Sequence, residues 1–346
     1  MTAEPRGDAP LVSIVIVNYN ARRFLDELLT SVSMQSYAPV EVLFVDNGSA
    51  DDSVGFVRER FPDVTVIENG ENLGYGVANN VGIRAAAGAY IFLLNTDTII
   101  TPDSISSLVD FMDRHPEAGA AQSKLLLGLQ GALIDSAGSF MTRSGFLHHH
   151  GWSDVDGPEY AHEFEIFSGK GASLILRRSV IDQVGLFDDD FFLYFEESDL
   201  CWRIWLAGHT ISYVPASVVY HEGGGITRTL PIAFLEYESF KNRLCSLTKN
   251  LGIRKFLQVV PLHLLLCVCT ATVNAVQGRP QNSAAILRAI AWNAGHLRQT
   301  LQKRSRIQRR RRVSDRELWP RIARDQSWGE AYGWLQSYLL AAAQRD

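Results

Sequence analysis

Cysteine is scarce in this chain, with four residues among 346: Cys201, Cys245, Cys267 and Cys269. They form no C-x-x-C pair, which excludes the common zinc clusters and argues against a disulfide framework. The first ten residues also lack the apolar stretch of a secretory signal. The sequence therefore predicts a protein of a reducing compartment such as the cytoplasm.

Acidic residues are missing from one long part of the chain. Residues 239–314 contain 15 Lys and Arg and no Asp or Glu, whereas residues 1–238 contain 14 basic and 33 acidic residues. Such a division predicts two tasks, with cations held by the acidic part and an anionic surface contacted by the basic part. A nucleic-acid partner is not expected, because the larger part carries a net charge of −19.

Short apolar runs alternate with helical patterns over the first hundred residues. Strands are predicted at 11–17, 40–45, 64–68 and 90–94, and helices at 22–36, 51–60 and 77–87. This alternation predicts an α/β fold with a doubly wound, mostly parallel sheet. The pattern is less regular over 101–165. Further elements are predicted at 171–177, 178–184, 196–207 and 210–214, and helices from about 236 to the end.

Polar clusters follow the predicted strands at the edge where open α/β sheets bind ligands. Asp46 follows the second strand, and its carboxylate suits hydrogen bonds from a base or a ribose. Helix capping accounts for Ser49 or Asp51 but not for Asp46. Gly74 and Gly76 precede a helix and would let backbone N–H groups approach a phosphate. The GxGxxG fingerprint is lacking, which argues against hydride transfer.

Asn95-Thr96-Asp97 ends the apolar strand IFLL. Oxygen ligands at such a strand end suit a hard divalent cation beside a diphosphate, where the metal neutralises charge on the leaving group. The alternative is a polar turn, since Asn and Asp favour turns. The neighbouring polar strand ends favour the metal, and His221, at another strand end before three glycines, is a further metal or diphosphate ligand. The run His148–His150 is interpreted as a loop.

Three carboxylates, those of Glu196, Glu197 and Asp199, follow the aromatic stretch FFLYF at the start of a predicted helix. Acidic residues there suit the helix dipole. The dipole does not explain the aromatic surroundings, which raise carboxylate pKa values. One of the three is therefore a candidate general base for an acceptor hydroxyl.

Seven motifs in one order resemble glycosyltransferase family 2, and especially its rhamnosyltransferase-like members. They cover about residues 11–250: VNYN, VDNGSADD, ENLGYGVANNVG, LLNTDT, GASLILRR, FDDDFFLYFEESDLCWR and VVYHEGG. The resemblance implies a GT-A fold and an inverting, metal-dependent hexosyltransferase. It further implies a catalytic domain over 11–235, with a nucleotide-binding half (11–100) and an acceptor half (101–235). Residues 1–10 would form a tail and 236–346 a basic helical segment.

The resemblance also assigns roles to single residues. It implies that the nucleotide sugar is bound by polar residues of the strand ends: Asn18, Asn20, Asp46, Asn72, Gly74, Asn79, Asn95 and Thr96. Asp97 and His221 would hold Mn²⁺ or Mg²⁺, and Glu197 would be the base. Asn95 replaces the first Asp of the family's metal motif, which hints at dTDP-rhamnose as the donor. Glu197 replaces the usual Asp, which leaves Glu196 and Asp199 open as bases.

The basic segment begins with the apolar stretch 256–276, interpreted as a buried or interfacial helix because polar residues and Pro261 dilute it. Residues 298–312 are rich in Arg and predict contact with an anionic membrane. A peripheral position on the cytoplasmic face of the inner membrane is expected, with a glycan or polyprenyl-linked glycan as acceptor. The closing aromatic residues suit either core packing or homo-oligomer contacts.

The sequence leaves three alternative functions. A catalytically silent nucleotide-sugar binder would also fit Asn95. A nucleotidyltransferase is less well supported, because the loop at 18–23 lacks the glycines that this class needs. A transferase of the same fold with another donor, such as a UDP-sugar, is a third reading.

Overall fold

A single mixed sheet forms the centre of the molecule in this computed structural model, which describes residues 9–128, 131–223 and 230–324. Its strands, and the small hairpin β8–β9 beside it, are β1 (Val12–Asn18), β2 (Val40–Asp46), β3 (Thr65–Glu68), β4 (Tyr90–Asn95), β5 (Thr98–Ile100), β6 (Ala118–Leu127), β7 (Ile134–Ser136), β8 (Ser139–Met141), β9 (Leu147–His149), β10 (Phe164–Glu165), β11 (Ser173–Arg177) and β12 (Thr210–His221).

Helices pack on the sheet, and after the last strand the described chain consists of helices and the loops that join them. They are α1 (Leu25–Ser33), α2 (Ser53–Arg60), α3 (Tyr75–Ala85), α4 (Ser104–Arg114), α5 (Arg178–Val184), α6 (Glu196–Leu206), α7 (Ile232–Asn250), α8 (Ile253–Val276), α9 (Pro280–Gly295), α10 (Leu297–Arg310) and α11 (Asp315–Ile322). The predicted helical end of the chain is present through α11. Its last residues, 325–346, lie outside the described part.

The sheet order is β10-β12-β6-β11-β4-β1-β2-β3. β1 is nearly all buried and pairs in parallel with β2 and β4, so the carboxyl ends of these strands meet at one edge. β11 enters antiparallel between β4 and β6. The α/β expectation is therefore confirmed, with one antiparallel strand at the centre of the sheet. This arrangement carries the polar strand ends of both halves to a common cleft.

Two predicted features belong to one strand. A strand is predicted at 210–214 and a strand end at His221, and β12 joins them through a register shift between Val214 and Val218. Pro215 lies in that shift, since it has no N–H to give to the sheet. The continuation delivers His221 to the cleft beside Asp97.

The C-terminal helices are tied to the rest of the molecule by buried charges. The Lys249 ammonium, on α7, lies 3.1 Å from an Asp199 oxygen and also pairs with Asp188. Lys303, on α10, reaches the same Asp188. We call these four residues the ionic brace. It joins α7 and α10 to the stretch 187–195, which leads into α6.

Candidate functional site

A cavity of about 590 Å³ opens at the carboxyl edge of the sheet, between the strand ends and the start of α6. It is lined by residues distant in the chain, including these predicted site residues: Asn72, Gly74, Asn95, Thr96, Asp97, Glu196, Glu197 and His221. Acidic, imidazole and amide groups therefore converge on one space large enough for a small ligand.

The first turn of α6 brings Glu197 to this cavity. The two residues before the helix, Tyr194 and Phe195, have φ of 68° and 70°, which is uncommon for side chains of this size. The chain turns sharply there, and α6 begins at the cavity wall. Glu197 Oε1 accepts a hydrogen bond of 3.0 Å from the Gly171 backbone N–H. Burial outweighs this bond and raises the pKa of the Glu197 carboxyl.

Glu196 and Asp199 lie in different surroundings. Glu196 is buried, and its Oε2 has no hydrogen-bond partner. Burial, and then the charge of Glu197, raise the pKa of Glu196 well above its usual value. Asp199 is absent from the cavity lining. Its carboxylate is fully buried and accepts from Arg203, Ser246 and Asn250 within the brace region, so its charge is used for structure.

Asp97 and His221 face each other across one part of the cavity, with Asp97 Oδ1 3.4 Å from His221 Nε2. His221 Nδ1 lies 2.8 Å from Oδ2 of the buried Asp135. Asp135 fixes a proton on Nδ1 and directs Nε2 toward Asp97, and despite burial the hydrogen bonds to these two carboxylates raise the pKa of His221. Nε2 and Asp97 would therefore bind a metal in place of their mutual contact. No group of three or more His, Cys, Asp or Glu able to hold a metal occurs among the described residues. A metal here would therefore draw its other ligands from elsewhere, such as a diphosphate.

Residues that the sequence did not single out complete the cavity. Lys170 donates to both oxygens of Asp135, at 2.9 and 2.7 Å. Tyr75 OH donates to the Gly171 carbonyl at 2.9 Å. Burial and the charges of Glu197, Glu196 and Asp97 raise the pKa of Tyr75 well above 10.0. His149 also lines the cavity, although its histidine run suggested only a loop. No sequence pattern marks Asp135 or Lys170.

Several residues to which the resemblance assigns nucleotide binding are linked by hydrogen bonds beside the cavity. Asp46 Oδ1 accepts from Asn18 Nδ2 at 2.9 Å, and its Oδ2 accepts from the Ser49 N–H at 3.0 Å. Neither Asp46 nor Asn18 is among the residues that line the cavity, whereas the neighbouring Asn47 is. The exposed Asn20 accepts from the Ala50 N–H at 2.7 Å. Asp46 therefore orders the loop beside the cavity.

The loop at residues 72–74 packs against the stretch before α6, a contact that the sequence did not predict. Gly74 has φ of 80°, and a Cβ there would lie 2.5 Å from the Phe192 carbonyl oxygen. The exposed Asn72 accepts from Asn47 Nδ2 and from the Gly74 N–H. Asn79 lies within α3, buried, and donates to the Tyr75 carbonyl. Gly74 thus lets the loop approach the aromatic stretch before α6.

Part of the basic run at 298–312 is engaged inside the molecule. Lys303 pairs with Asp188 and Asp190, and Arg304 donates to the Thr248 and Leu251 carbonyls. Arg310 donates to the Gln183 carbonyl, and Arg311 pairs with Asp315. These contacts hold α10 against α7 and the stretch 183–190, so this run is only partly open to an outside partner.

Two family descriptions match most of the chain up to residue 243, and a named relative aligns with much of the chain. The family described as "Glycosyl transferase family 2" matches residues 13–126, and "Glycosyl transferase family group 2" matches residues 90–243. The N-acetylglucosaminyl-diphospho-decaprenol L-rhamnosyltransferase of Mycobacterium tuberculosis is 32% identical over 247 residues. That alignment covers 65% of this chain and 80% of the relative.

Solved structures show the same architecture at low identity. Staphylococcus aureus TarS 1-349 in complex with UDP-GlcNAc matches with a TM-score of 0.54 at 17% identity, covering 80% of this chain and 81% of that one. The mannosyltransferase PcManGT from Pyrobaculum calidifontis, solved with GDP-Man and Mn²⁺, matches with a TM-score of 0.52 at 18% identity. The structural alignment covers 89% of this chain and 86% of the mannosyltransferase. These likenesses show the GT-A fold.

Proposed function

This chain belongs to glycosyltransferase family 2, in its rhamnosyltransferase-like branch, and from this premise we propose that it transfers L-rhamnose from dTDP-rhamnose to a glycan hydroxyl. That it moves a sugar from a nucleotide sugar follows from the family. The choice of rhamnose is supported by the 32% identical L-rhamnosyltransferase and by Asn95 in the metal motif. A UDP-sugar is the second candidate donor.

The convergence of Asp97, Glu197 and His221 on one cavity carries the proposal. In it, Glu197 is the general base. Its carboxylate faces the cavity, and the Gly171 N–H holds one oxygen while the other can accept a proton. Glu196 is less suited because its carboxyl is almost wholly buried, and Asp199 because its oxygens already bind the brace.

In the proposed reaction, the acceptor hydroxyl gives its proton to Glu197 as its oxygen attacks the anomeric carbon. The bond from that carbon to the nucleotide diphosphate breaks, and its electrons leave with the diphosphate. Attack from the face opposite the nucleotide inverts the configuration at the carbon. Positioning of both substrates in one cavity supplies a large part of the rate enhancement.

The donor atoms present fit a divalent cation. Asp97 offers a carboxylate oxygen and His221 offers Nε2, while Asp135 orients the imidazole from behind. Two protein ligands suit Mn²⁺ or Mg²⁺, which commonly completes its shell with substrate phosphates and water. Such an ion, when bound, would neutralise charge on the leaving diphosphate.

Lys170 adds a second positive charge to the same cavity. Its ammonium is held by Asp135 with its side chain 37% exposed, so it can also reach a ligand anion. We assign it to the diphosphate, where an added cation would stabilise the charge that develops on departure. Asp135 thereby positions two groups at once.

The acceptor is proposed to be a glycan or polyprenyl-linked glycan of bacterial cell-surface polysaccharide. The relative from M. tuberculosis is, by its name, an L-rhamnosyltransferase that acts on N-acetylglucosaminyl-diphospho-decaprenol. A peripheral position on the cytoplasmic face of the inner membrane would bring the enzyme to such an acceptor.

Calorimetry with a panel of nucleotide sugars, with and without Mn²⁺, tests the donor. We expect dTDP-rhamnose to bind most tightly and Mn²⁺ to strengthen the binding. Glu197→Gln should retain that binding and lose transfer by a factor of about 10² to 10⁴. Full turnover in this variant would refute Glu197 as the base. Tight binding with no turnover in the wild type would favour the silent binder.

A further inference from the structure

Helix α8 presents an uncharged apolar face to solvent. No Asp, Glu, Lys or Arg occurs from Phe256 to Gly278. Leu257 is 64% exposed, Leu265 59% and Val276 83%. Among the described residues, α8 is the one helix long and apolar enough to cross a membrane by length and composition. At about 1.5 Å per residue it is about 36 Å long.

The opposite face of α8 is fixed to the protein. Val260, His263 and Cys267 are buried there, and His263 Nδ1 lies 2.9 Å from the Ser144 carbonyl oxygen. The His263 ring also contacts Phe146, with ring centroids 4.6 Å apart. In the described part of the molecule, α8 has one face on protein and one exposed, which suits a position along a membrane surface.

Basic residues gather at the first turn of the same helix. A depression of about 890 Å³ is lined by five of them: Arg254, Lys255, Arg311, Arg312 and Arg316. We call these five the basic cluster. The acidic residue in this lining is Asp315, which already pairs with Arg311 and accepts from the Gly252 N–H. The cluster therefore carries an excess of positive charge.

One residue of the cluster, Arg254, lies on the same side of α8 as the apolar face. At 3.6 residues per turn, Arg254 lies on the side of α8 that carries Leu265 and Val268, opposite Val260 and Cys267. The exposure of these residues agrees with this geometry. An anion bound by Arg254 would therefore lie on the same side of α8 as the exposed side chains of Leu257 and Leu265.

We propose that the exposed face of α8 and the basic cluster form one binding surface for an anionic lipid bilayer. The apolar side chains enter the interface, and the cluster binds lipid phosphates. Charge complementarity selects this occupant, because a bilayer offers lipid phosphates to the cluster beside hydrocarbon for the apolar face. The inference deepens the proposed function, since a lipid-linked acceptor would reach the cavity from this surface.

The surface also has a direct link to the cavity. The turn that α8 holds, with Ser144 and Phe146, lies in the β8–β9 hairpin, and Leu147 and His149 of that hairpin line the cavity. Contact with a bilayer along α8 would therefore place the cavity near the membrane.

Sedimentation of the full chain with phosphatidylglycerol vesicles and with phosphatidylcholine vesicles tests the surface. We expect binding to the former, weakened by salt. The double variant Leu265→Glu with Val268→Glu should abolish it. Arg254→Glu with Arg316→Glu should weaken it by at least about tenfold, since each basic residue near such a surface contributes about fivefold. Met34→Glu and Arg84→Glu, which alter exposed residues far from α8 in the chain, should bind as the wild type does.

Three outcomes would overturn the inference: no binding by the wild type, wild-type binding by both double variants, or loss of a dimer in the Leu265→Glu and Val268→Glu variant by light scattering without vesicles. Unchanged thermal midpoints show that each variant is folded. Vesicle binding needs no catalysis, so a chain that binds vesicles but transfers no sugar would refute the proposed function and retain this surface.

Discussion

Asp135 and His221 are joined by a buried hydrogen bond of 2.8 Å between Oδ2 and Nδ1. The same carboxylate holds Lys170. Although burial raises it, the pKa of Asp135 is lowered overall by the His221 hydrogen bond and the Lys170 charge. One ionised side chain therefore orients both an imidazole and an ammonium toward the cavity, and the role of Asp135 can be tested through either.

The Asp135→Asn variant should bind Mn²⁺ about 10- to 100-fold more weakly, because His221 loses the acceptor that fixes its orientation. Titration of Mn²⁺ into the enzyme with dTDP-rhamnose, in the absence of acceptor, measures this directly. Asp156→Asn is the matched control, since Asp156 pairs with Lys124 and is not among the cavity-lining residues. Equal Mn²⁺ affinity in the Asp135 variant and the wild type would contradict the assignment.

Transfer should decline on the acidic side at a pH above 4.5, the ordinary pKa of a Glu carboxyl. Glu197 must be ionised to accept a proton, and burial raises its pKa, so protonation disables it at a higher pH than usual. The dependence of kcat on pH gives the position of this limb. Nucleotide-sugar binding over the same range serves as the control. A limb at or below 4.5 would show that another group is titrating.

Glu196→Gln should raise the thermal midpoint at pH 8, by about 2 °C. Burial and the Glu197 charge penalise the ionised form of Glu196, and an amide avoids that penalty. Because the raised pKa favours the protonated folded state, the advantage of the variant should shrink as the pH falls toward 4.5. Calorimetric scans at several pH values measure it. An unchanged thermal midpoint at pH 8 would contradict the inference that the ionised Glu196 carboxylate destabilises the folded protein.

Asp188→Asn should lower stability by about 3 kcal/mol, because it removes the carboxylate that Lys249 and Lys303 share and leaves each lysine a single carboxylate partner, Asp199 or Asp190. Despite burial, these two lysines hold the pKa of Asp188 well below 3.8. Its contribution is therefore complete above pH 3.8 and is lost as the pH falls through the lower folded value. Urea unfolding of the variant and of Asp189→Asn, an exposed neighbour, provides the comparison. Equal losses in both would rule out the brace as the cause.

Much of the sheet could be predicted because its strands are continuous apolar runs that end in polar residues. The runs before Asp46 and Asp97 gave β2 and β4 to within a residue. β5 was missed, since three residues carry no periodicity. The antiparallel entry of β11 depends on long-range pairing, which no local pattern encodes.

The site was predictable where a motif marked it. Asp135 and Lys170 were not predicted because the sequence around each has no regular pattern, and because the two side chains meet only in the folded chain. Asp199 shows a different error, because it was grouped with Glu196 and Glu197 as a candidate base only for its place in the sequence. Two residues apart on a helix lie about 200° apart, so Glu197 and Asp199 face different sides of α6. The two-residue spacing of Glu197 and Asp199 in the sequence was therefore enough to predict that they face different sides.

The ionic brace also bears on how much chain the fold requires. The family matches end at residue 243, before both Lys249 and Lys303. A protein shortened to that boundary would retain Asp188 and Asp199 in its interior with neither ammonium to neutralise them. We therefore expect the minimal folding unit to be longer than the family-matched region and to include α10.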